Sequence, residues 1–266
     1  MTKPNLLDAL PAVADRIQTA GDIFIGLDFD GTLAPIRSQP HEVELTNSIR
    51  DILRRLNRSP ATTVMIVSGR GLIDVSQRVG LPELIYAGNH GLEIQGPGFA
   101  FTEPRAAALV APLRQHAARL RDRLQCIPGA LVEDKGLSLS VHDRNVVPEL
   151  RADVERITRE IAADDEERFA IMSGHRVWEL RPRILWNKGR AMQWVLERLD
   201  RDRPASRLAF YIGDDRTDED GFAAIPDGVT ARVGPAEATA ASYALADHAA
   251  VEMFLNQLAG LLAARR

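Results

Sequence analysis

The chain has 266 residues, of which 45% are hydrophobic, and its 33 basic and 37 acidic side chains give a formal net charge of -4. That length and apolar content can fill one large or two modest hydrophobic cores. The nearly balanced charge argues against broad electrostatic binding, so no nucleic acid partner is expected. No stretch approaches the ~20 apolar residues of a membrane span, and residues 1–10 lack the apolar segment of a signal peptide. We therefore expect a cytoplasmic protein without a membrane partner.

The first hundred residues alternate between helical and strand patterns of apolar side chains. In chain order, the patterns predict a helix within 5–20, a strand over 23–28, a polar loop over 38–47, a helix from about 46 to 59, a strand over 63–67, a helix over 72–80 and a strand over 84–87. A β-α-β-α-β order of this kind predicts parallel strands joined by right-handed crossovers.

The composition changes after residue 95, where Gly96, Pro97, Gly98 and Pro104 predict a domain boundary. The elements predicted beyond it are a helix over 105–124, strands over 130–133 and 136–142, a helix over 150–161, and a hairpin of 169–172 and 176–180. This order predicts a small α+β domain over 105–183, inserted between the two parts of the first domain at 1–104 and 184–266.

The last part of the chain returns to the earlier pattern. It predicts a helix from about residue 188, a strand over 208–212, a fifth parallel strand over 229–233 and a closing helix over 251–262. The predicted fold class is therefore α/β, with a Rossmann-like parallel sheet as the core and the inserted α+β domain as a cap.

Two carboxylates, Asp28 and Asp30, follow the first predicted strand, and Gly31 after them permits a sharp turn. Residues two apart in an extended chain point to the same side. Such a pair resists full ionisation unless a cation compensates it or one member keeps a proton. The pair therefore indicates a divalent metal site with acid–base chemistry, although an Asp-Gly turn without a ligand is the alternative.

Two further groups follow a predicted core strand or begin a helix beside one, and the carboxyl ends of parallel strands share one edge of the sheet. Ser68 and the residues after it offer a hydroxyl and N–H groups for a phosphate oxygen, although serine is also an ordinary helix cap. Lys188 in a first helical turn opposes the helix dipole, which a bound anion would explain; a solvated surface lysine is the alternative.

An acid-rich run, GDDRTDED, follows the strand predicted at 208–212. Uncompensated charge is costly directly after a buried strand, and oxygen ligands suit Mg²⁺, although an acidic helix N-terminus is the alternative. Carboxylates, a hard cation, a hydroxyl and an ammonium are together what phosphoryl transfer through an aspartyl phosphate requires.

With DFDGT, SGR, NKG and GDDRTDED in this order, the chain resembles the haloacid dehalogenase (HAD) superfamily. The resemblance implies that Asp28 is the nucleophile and that Asp30 is the general acid and then the base. It implies that Asp28, the backbone carbonyl of Asp30, and Asp214 bind Mg²⁺. Asp215 and Asp218 would lie behind these ligands or complete the metal site.

The resemblance also implies that Ser68 and Lys188 bind the phosphoryl group. The inserted domain and the segments GNHGLE, VEDKGLSLSVHDR and SGHRVWELRP make the chain similar to the trehalose-6-phosphate phosphatase family. That family usually has lysine and tyrosine where this chain has His175 and Asp143. The residues that the resemblance assigns to substrate binding are Arg70, Asn89, His90, Glu133, Lys135 and Glu179, with Arg144 and His142 as weaker candidates.

These patterns lead to the expectation of a Mg²⁺-dependent phosphatase that cleaves trehalose 6-phosphate, with closure of the inserted domain over the substrate. The alternatives are a phosphatase for sucrose phosphate or for glucosylglycerol or glucosylglycerate phosphate, a phosphomutase, and a non-catalytic sugar-phosphate sensor. A monomer is expected, and the short region before residue 23 predicts no fused synthase domain.

Overall fold

The computed structural model describes residues 3–37, 42–174, 176–235 and 238–265. Residues 38–41 of the predicted loop and His175 lie outside this part of the chain. The chain divides into two compact units, one formed by Met1–Phe101 and Trp186–Arg266 and the other by Thr102–Leu185. We call them the core unit and the inserted unit.

The strands of the described residues are β1 (Asp22–Asp28), β2 (Thr62–Val67), β3 (Ile85–Gly88), β4 (Glu93–Gly96), β5 (Phe99–Thr102), β6 (Leu131–Asp134), β7 (Leu139–His142), β8 (Phe169–Gly174), β9 (Val177–Pro182), β10 (Arg207–Gly213), β11 (Val229–Val233) and β12 (Tyr243–Leu245). The helices of the same residues are α1 (Leu10–Thr19), α2 (Asn47–Arg58), α3 (Leu72–Val79), α4 (Pro104–Ala107), α5 (Val110–Leu124), α6 (Arg151–Ala163), α7 (Lys188–Asp202), α8 (Glu219–Ala224) and α9 (His248–Ala263).

The sheet of the core unit has the strand order β12-β11-β10-β1-β2-β3-β4-β5 among the residues described. Neighbouring strands from β12 to β3 are parallel, and β4 is antiparallel to β3. The α/β class with a parallel core sheet, predicted from the sequence, is therefore confirmed. Because β1 is central, its C-terminal end lies beside those of β2 and β10.

Burial of β1 on both faces explains its continuous apolar sequence. Ile23, Ile25 and Leu27 pack into a core that includes α1, α2, α3 and α9, whereas Phe24 packs on the other face with residues of α7 and α8. The end of the strand is thereby held rigidly between two helical layers.

Local sequence signals set the helix ends that lead into the site. Thr46 Oγ1 accepts a hydrogen bond from the Ile49 N–H at 3.2 Å and caps α2. Gly80 ends α3 in the left-handed conformation with φ of 68°. Asn187 caps α7, its side-chain oxygen accepting from the Arg190 N–H at 2.9 Å, so Lys188 is the first residue of that helix.

The structure differs from the sequence prediction in several elements. The helix predicted over 105–124 is divided into α4 and α5, since Pro112 suits only the first turn of a helix. The strand predicted over 136–142 begins at Leu139, because the Lys135 N–H donates to the Ser138 carbonyl at 3.0 Å and closes a turn. The short strands β4, β5 and β12 and the helix α8 were not predicted.

The inserted unit contains an antiparallel sheet with the order β6-β7-β9-β8. Leu139 and Val141 of β7 pack with apolar residues of α5 and α6 on one face. The other face is available for polar side chains. Within the part of the chain that the structure describes, no helix combines the length and apolar character of a bilayer span.

Candidate active site

Asp28 and Lys188 form the centre of the site. Asp28 is the last residue of β1, and Lys188 is the first residue of α7. Both side chains are buried, and Lys188 Nζ donates a hydrogen bond to Asp28 Oδ1 at 2.7 Å. The fold thus brings the predicted nucleophile and the predicted phosphoryl-binding lysine into direct contact.

Asp218 holds Lys188 from a second direction. Its carboxylate is fully buried, and its Oδ1 accepts from Lys188 Nζ at 2.7 Å and from the Tyr211 hydroxyl at 2.6 Å. Its Oδ2 accepts from the backbone N–H of Asp215 at 2.9 Å. Because both oxygens accept hydrogen bonds from the protein, Asp218 is built to position the ammonium of Lys188.

The acid-rich run after β10 sends its carboxylates in different directions. Asp215 is exposed and forms a reciprocal capping box with Asp218 around a short 3₁₀ turn. This turn directs Asp218 inward, while the partly buried Asp214 lies beside Asp28. The carboxylates of this run therefore make separate contacts and do not form one acidic patch.

The close approach of Asp214 depends on Gly31. A Cβ atom at residue 31 would lie 2.0 Å from Asp214 Oδ2, and Gly31 has a φ of 86°. A side chain at that position would be strained by the backbone and would displace the carboxylate. The buried Thr32 donates its hydroxyl to Asp214 Oδ1 at 3.4 Å.

The carboxylates crowd one another electrostatically. Oxygens of Asp28, Asp214 and Asp218 lie within 4.8 Å of one another. Burial raises the pKa of Asp28 well above its ordinary 3.8, and the neighbouring carboxylates add to the rise while Lys188 opposes it. Burial and the charge of Asp218 raise the pKa of Asp214 to about 6. Both shifts follow from negative charge held where water is scarce.

Lys188 remains charged despite its burial. Burial alone would lower its pKa, but the carboxylates of Asp218 and Asp28 outweigh that effect and raise it. Three carboxylates and one ammonium give the cluster a formal net charge of -2. A divalent cation would supply the compensating charge, and carboxylate oxygens suit a hard ion. Asp28 and Asp214 are the residues that fit such a ligand set, because Asp218 already accepts its hydrogen bonds from the protein.

The Asp30 carboxylate points to Arg70. Its Oδ2 accepts from Arg70 Nε at 2.7 Å, and its Oδ1 accepts from Arg70 Nη2 at 2.7 Å. Arg70 also donates to Asp74 at 2.9 Å, and its guanidinium lies over the Phe29 ring, 5.5 Å from the centroid. The bidentate pair orients Asp30, whose side chain is 37% exposed, at the mouth of the site.

Ser68 lies in the loop that follows β2. The residue is buried, and its Oγ accepts from the Arg70 N–H at 3.1 Å, which leaves the hydroxyl proton for another acceptor. The loop packs closely on the next one, because a Cβ at residue 69 would lie 2.5 Å from His90 Cε1. Asn89 is fully buried and donates its amide to Glu93 at 2.6 Å, so its side chain supports the loop.

The glutamates predicted to bind sugar share the polar face of the sheet in the inserted unit. One register row crosses the four strands and consists of Glu133, Ser140, Glu179 and Met172. Lys135 Nζ donates to Glu179 Oε1 at 3.1 Å, and His142 Nε2 lies 2.8 Å from Glu133 Oε2. Arg144 lies partly buried in the turn after β7. The face therefore presents carboxylates that are already oriented by basic partners.

Sequence reasoning missed three residues of these networks. Arg181 Nε donates to Glu179 Oε2 at 2.7 Å, and Tyr211 and Glu93 make the contacts described above. Tyr211 carried the clearest signal, because its hydroxyl within an apolar strand requires a buried partner. Glu93 and Arg181 resemble ordinary surface residues in the sequence.

The fold and the carboxylate–lysine cluster define the class of protein first. A haloacid dehalogenase-like hydrolase from Bacteroides thetaiotaomicron has the same fold, with a TM-score of 0.61 over 89% of this chain and 99% of that chain at 14% identity. The fold of this chain is therefore that of a haloacid dehalogenase-like hydrolase, as the resemblance implied.

The family is defined more narrowly by sequence. The family model for trehalose-phosphatase matches residues 26–249. The trehalose-phosphate phosphatase of Mycobacterium marinum is 42% identical over 241 residues, which are 88% of this chain and 61% of that protein. A solved structure of a trehalose-6-phosphate phosphatase related protein has a TM-score of 0.78 at 25% identity, over 90% of this chain and 97% of that one. The chain belongs to the trehalose-phosphatase family, and it spans about three fifths of the length of the first curated relatives it matches.

Proposed function

We propose that this chain is a Mg²⁺-dependent phosphatase that hydrolyses trehalose 6-phosphate to trehalose and phosphate, the final step of trehalose biosynthesis. The observation that carries the proposal is the convergence of Asp28, Lys188 and Asp214 at the C-terminal edge of the parallel sheet. The substrate follows from the family and from the name of the Mycobacterium marinum relative. Asp28, Asp214 and the backbone carbonyl of Asp30 would hold Mg²⁺, which would supply positive charge that offsets the charge of the phosphoryl group.

The reaction has two displacements at phosphorus. The Asp28 carboxylate attacks phosphorus, the bond to the sugar oxygen breaks, and Asp30 donates its proton to that oxygen. For this step the Asp30 carboxyl leaves Arg70 and takes up a proton from solvent, and it is this proton that passes to the sugar oxygen. Water then attacks the aspartyl phosphate, Asp30 takes the proton of the water, and phosphate leaves as Asp28 is restored.

Lys188 and Ser68 bind the oxygens of the transferring group. The ammonium of Lys188 offsets negative charge on those oxygens, and Asp218 keeps it aligned. The Ser68 hydroxyl donates to a phosphoryl oxygen while its Oγ continues to accept from the Arg70 N–H. These two groups make the same contacts in both displacements.

The polar face of the inserted unit binds the sugar. Glu133 and Glu179 accept hydrogen bonds from sugar hydroxyls, and Lys135 donates to a sugar oxygen. Arg181 and Lys135 hold Glu179 from its two oxygens, so the carboxylate is oriented before the sugar arrives. Substrate discrimination belongs to this face, whereas the chemistry belongs to the core unit.

Phosphate release from a panel of sugar phosphates, with and without Mg²⁺, tests the proposal. Trehalose 6-phosphate should give the highest kcat/KM, and Asp28→Asn should abolish turnover while retaining substrate binding. Preference for sucrose phosphate or for glucosylglycerol or glucosylglycerate phosphate would reassign the substrate. Isomerisation without phosphate release would instead indicate a phosphomutase, and binding without either reaction would indicate a sensor. We further propose that the chain acts in the cytoplasm and as a monomer. Light scattering after size exclusion would check the monomeric state.

A further inference from the structure

The loop at residues 68–71, which we call the phosphate loop, connects β2 to α3 and contains Ser68. Gly71 occupies the N-cap position of α3, so the helix cannot be capped by a side chain at that position. The first N–H groups of a helix require acceptors. The acceptor for α3 must therefore come from elsewhere in the fold.

Glu93 of β4 supplies this acceptor. Its Oε1 accepts from the Leu72 N–H at 2.8 Å, and this is the first N–H of α3. The same oxygen accepts from Asn89 Nδ2 at 2.6 Å. A carboxylate at a helix N-terminus is favourable with the helix dipole, so Glu93 both caps α3 and holds the side chain of Asn89.

Asn89 and His90 then fix the backbone of the phosphate loop. The Asn89 N–H donates to the Arg70 carbonyl at 2.7 Å, and the His90 N–H donates to the Ser68 carbonyl at 2.9 Å. Asn89 and His90 have φ angles of 49° and 57°, a conformation that few residues other than glycine adopt readily. The contact from Glu93 to Asn89 helps to hold this bend, and the bend aims both N–H groups at the phosphate loop.

The same segment also contacts the start of α7. Trp186 Nε1 donates to the Gly91 carbonyl at 2.6 Å, and a Cβ at residue 91 would lie 2.5 Å from Ala191 Cβ. Residues 88–93 therefore lie between the loop that carries Ser68 and the helix that begins with Lys188. The distance between these two phosphoryl-binding groups depends on the segment between them.

We propose that Glu93 is a positioning residue, which sets the phosphate loop through Leu72 and Asn89 so that Ser68 and Lys188 meet the same phosphoryl group. The inference rests on the proposed function. Glu93 itself does not touch the substrate in this account. Its loss should weaken recognition of the phosphoryl group while the carboxylates that bind Mg²⁺ stay in place.

The test compares Glu93→Ala with Glu93→Gln and with a matched control. Glu103 is buried whereas Glu93 is partly buried, and Glu103 Oε2 accepts from the Ala106 N–H at 2.8 Å at the start of α4, so Glu103→Ala removes another glutamate helix cap, in the inserted unit. We expect Glu93→Ala to lower kcat/KM by about 10- to 100-fold, the range found when groups that orient a site are removed. Glu103→Ala should keep the wild-type kcat/KM even where its melting temperature falls equally.

Two further measurements separate positioning from general damage. Calorimetric binding of inorganic phosphate in the presence of Mg²⁺ should weaken in Glu93→Ala, whereas the Mg²⁺ concentration at half-maximal thermal stabilisation should stay unchanged. The amide oxygen of Glu93→Gln can still accept both hydrogen bonds, so this variant should fall between Glu93→Ala and the wild type. If Glu93→Ala does not fold, Asn89→Gly tests the same path, because glycine tolerates the bend but removes the amide.

The proposal is overturned if Glu93→Ala and Glu103→Ala lose the same stability and both keep wild-type phosphate affinity and kcat/KM. Where Glu93→Ala does not fold, the proposal is overturned if Asn89→Gly matches the wild type in phosphate affinity and kcat/KM. Phosphate binding separates this failure from failure of the proposed function. A wild-type chain that binds phosphate in a Glu93-dependent way but releases none from trehalose 6-phosphate would refute the assigned reaction and leave the role of Glu93 standing.

Discussion

Replacing Asp218 by asparagine removes one buried charge from the site at nearly constant volume. The carboxylate accepts from Lys188 and Tyr211 at one oxygen and from the Asp215 N–H at the other. Asparagine has only one acceptor oxygen, so its NH₂ group must face either the ammonium of Lys188 or the Asp215 N–H. Either orientation places a donor against a donor in a site that excludes water.

The expected change in the free energy of unfolding combines the lost attraction between Asp218 and Lys188 with the relieved repulsion between the carboxylates. Loss of a charge-assisted hydrogen bond costs roughly 1.5–3 kcal/mol, and removing one partner of a buried ion pair costs roughly 3–5 kcal/mol. Lys188 keeps its pair with Asp28, and the repulsion that Asp218 exerts on Asp28 and Asp214 disappears. We therefore expect the free energy of unfolding to fall by about 2 kcal/mol. We expect kcat/KM to fall by about 100-fold, because a displaced ammonium no longer aligns with the phosphoryl group.

Urea denaturation and phosphate release measure the two effects, with Asp215→Asn as the matched control. Asp215 is exposed, and asparagine caps a helix as well as aspartate does, so this variant should stay within about 0.5 kcal/mol of the wild type. Equal stability and equal kcat/KM in Asp218→Asn and Asp215→Asn would refute the assignment of Asp218 as the anchor of Lys188.

The remaining predictions concern the carboxylate cluster and the inserted unit. The pKa of Asp214 is raised from 3.8 to about 6, so in metal-free protein its stabilising contribution is full below about pH 4 and is lost as the pH rises through about 6; this amounts to about 3 kcal/mol. Protons compete with the cation for this carboxylate, so thermal-shift titrations should show Mg²⁺ affinity falling as the pH drops below about 6, and a pH-independent affinity would contradict this. Gly31→Ala places a Cβ against Asp214 and should weaken Mg²⁺ affinity by about 10- to 100-fold, measured by the same titration; unchanged affinity would show that the loop adjusts freely. Arg181→Met releases one oxygen of Glu179 and should raise KM for the sugar phosphate about tenfold at constant kcat, whereas an unchanged KM would separate Arg181 from substrate recognition.

The parallel core was predictable because its strands are buried on both faces. The strand predicted over 229–233 coincides with β11 (Val229–Val233), and the stop predicted at Gly80 is the observed end of α3. The strands β4 and β5 were missed because Gly96, Pro97 and Gly98 indicate a loop, and β12 was missed because three residues are too few to establish a period. Gly96, Pro97 and Gly98, interpreted as part of a domain boundary, lie at the turn between β4 and β5, and the two compact units divide shortly after it, between Phe101 and Thr102.

The sequence indicated which residue types meet at the sheet edge but could not indicate how their side chains pair. Order along the chain places Asp28, Lys188 and Asp214 at neighbouring strand and helix ends, which the fold rules bring together. The pairing of Asp30 with Arg70 depends on side-chain directions across two loops. The support of Asn89 by Glu93 depends on how β4 pairs with β3, and β4 was not predicted.

The acidic run after β10 gives Lys188 a second carboxylate partner besides Asp28. A lysine in the first helical turn is unfavourable with the helix dipole, so Lys188 needs carboxylates to hold it. If Asp28 were its sole partner, the ammonium would be tied to the proposed nucleophile and would draw electron density from the oxygen that attacks phosphorus in the proposed mechanism. Asp218 shares the ammonium from the opposite side, with its second oxygen fixed by the backbone of Asp215. In the proposed mechanism one acid of the run can thus hold the lysine while Asp214 holds the cation, and the proposed nucleophile, Asp28, is less strongly bound to either.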